Sequence, residues 1–273
     1  MRIDFHKWKT FKECPKKFLM QYIRRAPSTV PVEDYYKLYG LLVQRFFELY
    51  CNIWRFRTPY LFPEIIKERL EKLYQDLLSS STVDWNNKKA SQEGIFSQAY
   101  SSICAIMDSM NQNYFLNTKS EVTIEIKTKD DNIINGRIDF IHYMPLAKDD
   151  FIIMDGKGTD KLGKNIDEDQ LLFYTLLTYF KYNRLPSQAG FFYYRFNTFN
   201  PIPIDMGRLN KFRAGLSLDI KTMTATPEYN ASPSTKACRY CLYRDKCDER
   251  QKAVKHKKSK IELEGDGIVS FGF

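Results

Sequence analysis

Two carboxylates, a lysine and two polar side chains stand close together in the middle of this 273-residue chain. Gly136-Arg137-Ile138-Asp139 is followed by Asp155-Gly156-Lys157, and then by Gln170 and Tyr174. Side chains two apart on a strand project to one side, so Asp155 and Lys157 share a face where that segment is extended. Residues four apart share a helical face, which pairs Gln170 with Tyr174 on the segment that follows. Carboxylates gathered in a partly buried place repel one another and call for a cation. Hard oxygen ligands of this kind suit Mg2+ or Mn2+. Beside a phosphodiester, such an ion lowers the pKa of a water and neutralises charge growing on the phosphoryl oxygens. The lysine would orient the attacking water or stabilise the transition state. Gly156 and Gly158 are expected to leave room for a phosphate backbone. The chemistry this set suits is phosphodiester hydrolysis. An Asp in one strand followed by Asp-x-Lys in the next also arises by chance, so the remaining motifs decide its weight.

The six cysteines form a second constellation. Cys238-x2-Cys241-x5-Cys247 is a tight cluster that lacks one ligand for a four-thiolate site. Cys14, followed directly by Pro15, is the natural fourth, and His256 is the other candidate for a zinc site. Four thiolates hold either Zn2+ or a 4Fe-4S cluster, and from spacing alone zinc is the more general expectation. Either would clip the two ends of the chain together, restricting the unfolded state strongly, in a structural rather than catalytic role. Cys51 and Cys104 lie among apolar residues of helical segments and are expected to be core thiols.

The elements that must position these groups are legible as patterns. Residues 1–117 read as mostly helical. The capping-box pattern Thr10-Phe11-Lys12-Glu13 is expected to open a helix that Cys14-Pro15 interrupts. Further helices are predicted over 35–54, 64–78 and 92–116. The character changes at Glu121: alternating strands are predicted over 122–126 and 133–143, with a turn at Asp130-Asp131-Asn132, and a strand over 151–157. A helix over 165–182, a strand over 189–196 and a helix over 209–223 complete an α/β core. The predicted organisation is a helical region (1–117), a core (118–224), a cysteine-rich segment (225–250), and a basic then apolar tail (251–273). A hairpin joining the 133–143 and 151–157 strands would bring Asp139 to Asp155.

Hydrophobic residues at 43% and charged residues at 27% set the class as soluble globular. Lys and Arg number 42 against 33 acidic residues, and the net charge of +9 favours a polyanionic partner. Lys161, Lys164 and Arg195, flanking the carboxylates, are candidates to hold phosphates. The aromatic content of 15% reads mainly as core, with any exposed rings able to stack on bases. No apolar leader and no bilayer-length apolar run is present, so no membrane association is expected and the expected compartment is the cytoplasm, of a cell or of an infected host. Thiols are reduced there, which argues against disulfides. The end Phe271-Gly272-Phe273 is a candidate surface for a protein partner or for self-association.

The order Cys-Pro-x-x-Phe, Gly-x-x-Asp, Asp-x-Lys, Gln-x-x-x-Tyr and Cys-x2-Cys-x5-Cys, running from Cys14 to Cys247, resembles the RecB-like branch of the PD-(D/E)xK nucleases. Within it the chain is similar to the iron–sulfur nucleases, the CRISPR-associated exonucleases and the AddB nuclease domain. The resemblance implies a restriction-endonuclease-like mixed sheet flanked by helices, with an N-terminal helical region and the cysteine-rich segment joined by a metal cluster. It implies a Mg2+- or Mn2+-dependent deoxyribonuclease, an exonuclease or end-processing enzyme of DNA replication, recombination or repair. Asp139, Asp155 and the carbonyl of Gly156 would be metal ligands and Lys157 the catalytic lysine. Gln170 and Tyr174 would orient the site or contact DNA. Cys14, Cys238, Cys241 and Cys247 would ligate a 4Fe-4S cluster. The family motif Gly-x-x-apolar-His reads here Gly40-Leu41-Leu42-Val43-Gln44, so a neutral amide, a ligand only through its oxygen, stands where the family has histidine. Glu48, one turn on, and Glu121 are the further acids in reach. The alternative is a non-catalytic DNA-binding or scaffolding subunit on a degenerate nuclease fold, for which Gln44 speaks and the intact Asp139, Asp155 and Lys157 do not.

Overall fold

The structure is a computed structural model and describes residues 1–28, 35–57, 61–81, 83, 85, 91–110, 117–144, 150–163, 166–225, 228–239 and 241–250, the side chains of 35, 36, 109, 110, 235 and 236 excepted. Lys164, His256, the basic run and the apolar end fall outside the described residues. The chain divides into two compact units, residues 1–5 with 33–217, and residues 6–32 with the chain from Leu218 onward.

The first unit is built on a six-stranded mixed sheet: β1 (Arg2–Ile3), β2 (Thr118–Lys127), β3 (Ile133–Tyr143), β4 (Phe151–Lys157), β5 (Gln188–Tyr193) and β6 (Thr198–Ile202). β2 and β3 form an antiparallel hairpin, turning where Asp131 takes the left-handed conformation that Asp tolerates (φ 57°). β1 runs parallel to the opening residues of β3, and β4 pairs antiparallel with its closing residues, from Phe140↔Met154 to Tyr143↔Phe151. β5 lies parallel to β4 through Lys157↔Tyr193, and the crossover helix between them is α6 (Glu168–Tyr182). β6 closes that edge against β5.

Alternation along β4 decides what covers each face. Ile152 and Met154 join Phe140, Phe192 and Tyr194 in a core shared with α3 (Tyr35–Asn52), α4 (Pro63–Ser80) and α5 (Gln92–Met110). Phe151 points the other way and meets Tyr182 of α6 at 5.2 Å between ring centres. α6 is apolar around most of its girth, and its residues from Leu171 to Thr178 are all buried, as a crossover helix between strands requires. It approaches β3 so closely that a Cβ at 136 would stand 2.5 Å from the Leu177 side chain and 3.3 Å from the Tyr174 ring.

The second unit contains His6–Glu13 of α1 (Phe5–Glu13), then α2 (Pro15–Phe18), the end of α7 (Met206–Ala225) and α8 (Thr235–Arg239). Phe11, Phe18 and Tyr229 form its aromatic centre, with ring centres 5.7–6.3 Å apart. Trp8 donates its indole N–H to Asp219 at 2.9 Å, and Lys16 pairs with Glu249 at 2.6 Å.

Three expectations need correcting. Thr10–Glu13 does not open a helix; it is the last part of α1, which starts at Phe5, and the pattern is a capping box in letters only. The strand expected over 189–196 ends at Tyr193, where a 3-10 turn (Tyr194–Phe196) redirects the chain and Asn197 takes a left-handed conformation (φ 44°). β1 and β6 were not expected: one is two residues long and the other contains Asn200-Pro201, a poor strand signature tolerated at an edge. Among the described residues no helix is long and apolar enough to cross a membrane.

Candidate active site

The pairing of β3 with β4 stops at Phe140↔Met154, and the two strands part just where Asp139 and Asp155 follow. The parting frees the Gly156 amide from the ladder, and it donates to Asp139 Oδ2 at 2.8 Å. Asp155 is 2% exposed and pairs with Lys157 Nζ at 2.6 Å. Lys157 Nζ also donates to Gln170 Oε1 at 3.4 Å, and Gln170 Nε2 donates to the Tyr174 hydroxyl at 3.2 Å. The five side chains expected from the sequence thus meet, with β4 and α6 supplying Asp155, Lys157, Gln170 and Tyr174 from one face of the sheet.

From α3, Gln44 reaches the same place. Its amide nitrogen donates to Glu121 Oε1 at 2.6 Å and to Asp139 Oδ1 at 3.3 Å. As it stands Gln44 is a donor joining two carboxylates; to serve as the expected oxygen ligand its amide must turn over. Glu121 belongs to the site more firmly than position alone suggested. It sits in a left-handed conformation (φ 56°) that interrupts the β2–β3 register opposite Asp139, and its other oxygen pairs with Arg137. Such a conformation is costly for a residue with a Cβ and accumulates at functional sites. Glu48 pairs with Arg45 instead. Gln44, Glu121, Arg45 and Arg137 line a cleft of about 310 Å³ beside the carboxylates.

The electrostatics follow from crowding. Burial pushes the Asp139 carboxyl up to about 8, and the neighbouring Asp155 adds to the shift while the Gly156 amide opposes it. Burial likewise raises Glu121, against the Gln44 bond and Arg137. Burial, then Asp155 and Asp139, raise the Tyr174 hydroxyl. Among the described residues the basic neighbours of the three acids are Lys157, Arg137 and Arg45; Asp139, Asp155 and a backbone carbonyl are hard oxygen donors of the kind a divalent cation takes, although no three His, Cys, Asp or Glu side chains converge here as a bound ion would require.

The glycines are used differently from the expectation. The space beside Gly156 is taken by the Tyr194 hydroxyl, 1.8 Å from where a Cβ would be, and that beside Gly158 by the backbone of Gly40, at 2.8 Å. At both positions the room left by the missing side chain serves internal packing. Arg195 is also engaged: its guanidinium covers the Tyr39 ring at 3.8 Å and donates to the Gly158 carbonyl at 3.4 Å. Lys161 is exposed.

In the second unit, Cys14, Cys238, Cys241 and Cys247 all line one cavity of about 190 Å³. Lys16, Lys17, Arg24, Arg244, Lys246 and Arg250 line it too, a concentration of positive charge around four thiols. Cys14 Sγ accepts the Ser232 amide at 3.5 Å, and burial raises the Cys247 thiol. Among the described residues no three His, Cys, Asp or Glu side chains converge as a single ion demands. Cys51 is fully buried in the core, which pushes its thiol up to about 12, and Cys104 packs against the same core.

No curated protein matches the sequence. Among solved structures the chain is similar to one described as the crystal structure of SSO0001, at 14% identity and a TM-score of 0.40, over 91% of this chain and 86% of that one. The family model of the PD-(D/E)XK nuclease superfamily matches residues 5–248, and the chain belongs to that superfamily.

Proposed function

We propose that this chain is a Mg2+- or Mn2+-dependent DNA nuclease of the RecB-like iron–sulfur branch, acting on DNA ends or single strands in replication, recombination or repair. The observation that carries the reading is the meeting of Asp139, Asp155 and Lys157 where β3 and β4 part, with Lys157 Nζ 2.6 Å from Asp155. Asp139, Asp155 and the Gly156 carbonyl would hold the cation, with Gln44 as a further ligand once its amide is turned over. When bound, the cation supplies charge neutralisation at the phosphate and acidifies water. Lys157, paired with Asp155, directs its N–H groups at the developing phosphoryl charge. Gln170 holds Lys157 in that direction, and Tyr174 holds Gln170. The surplus of +9 supports DNA as the partner.

Cys14, Cys238, Cys241 and Cys247 would hold a 4Fe-4S cluster, supported by their shared cavity and its cationic lining. Zn2+ is the less favoured occupant. A second reading, a DNA-binding scaffold without catalysis, rests on Gln44 donating to two carboxylates where the family has a histidine ligand. End-labelled single- and double-stranded DNA, incubated with anaerobically purified protein, separates the two. The nuclease reading expects cleavage with Mg2+ or Mn2+ and none with EDTA; binding without cleavage under either metal would establish the scaffold.

A further inference from the structure

Tyr194 is fully buried, and its hydroxyl has no hydrogen-bond partner among the described residues. A buried donor left unmade is costly, and natural cores rarely keep one without a use. Its ring is fixed on the core side: it stacks on Phe47 of α3 (6.5 Å, 23°) and meets Phe192 edge-on. Its hydroxyl is driven against the backbone of Gly156, in the space where any other residue would carry its Cβ. Gly156 is the residue whose amide holds Asp139. Phe47 lies one helical turn beyond Gln44, the residue that joins Asp139 to Glu121.

We propose that Tyr194 is a positioning residue of the carboxylate site, donating its hydroxyl hydrogen to the oxygen shell of the divalent cation beside Asp139. The inference rests on the proposed metal dependence. Divalent cations of this type keep several waters, and a neutral donor from the sheet's far face would fix one without adding charge. It also explains why position 156 must be glycine: a Cβ there would displace the hydroxyl.

The test is Tyr194→Phe in the full, anaerobically purified chain, with Mn2+ alone as titrant in calorimetry and thermal melting in EDTA alongside. The expected result is Mn2+ affinity weakened about five- to tenfold, the loss of one hydrogen bond, with a metal-free Tm equal to or above wild type. Unchanged Mn2+ affinity overturns the proposal, whether or not the Tm falls; with a lower Tm the hydroxyl serves only the fold. Wild-type protein that binds Mn2+ and cuts DNA while the variant binds it equally overturns this inference alone. Wild-type protein that binds no Mn2+ overturns the metal-dependent reading as well.

Discussion

Asp139 carries a titration that the metal-free protein should display. Its folded-state carboxyl lies near 8, raised mainly by burial, against an ordinary value near 4 in an unfolded chain. The folded state therefore binds the proton more tightly. Stability is fully present below the ordinary carboxylate range and is lost as pH rises through the folded value. Thermal melts in EDTA from pH 5 to 8 should show Tm falling, and Asp139→Asn should flatten that fall; a wild-type Tm that rises across this range would contradict the assignment. Asp139, Asp155, Lys157, Gln170 and Tyr174 were legible because strand and helix periods fix their shared faces. Glu121 was a candidate by position alone, and Tyr194 was not legible. The first depends on a left-handed backbone angle and the second on a glycine in the neighbouring strand, and neither leaves a periodic trace.

At the scale of elements, the site depends on how closely α6 can lie on β3. Gly136→Ala would put a methyl 2.5 Å from the Leu177 side chain, which is itself wholly buried, so α6 or the leucine must give. The expected cost is about 1–3 kcal/mol of stability, read by denaturant unfolding, with DNA cleavage reduced because Tyr174 shifts with the helix. β4 and α6 were readable because one alternates and the other repeats at helical spacing over many residues. β1 is too short for any pattern, and β6 contains a proline that only its edge position excuses. The box at Thr10–Glu13 misled because the same four letters fit the end of a helix as well as its start.

For the whole molecule, residues 6–28 and the described residues from 218 to 250 belong to one compact unit, and the proposed cluster is its staple. Cys238→Ala should give protein with little bound iron and a clearly lower Tm, whereas Cys51→Ala, a core thiol, should keep its iron. Iron absent from anaerobically prepared wild type, with zinc in its place, would favour the other occupant. The cysteine spacing suggested a four-ligand site but left Cys14 and His256 both open as the fourth ligand, since nothing local to either residue marks it as one. The most direct test of the central claim reads Mn2+ binding and DNA cleavage separately in Asp155→Ala and Lys157→Ala. The account predicts that Asp155→Ala loses both, and that Lys157→Ala still binds Mn2+ while cleavage falls about a hundredfold or more. Two variants that cut as wild type does would contradict it.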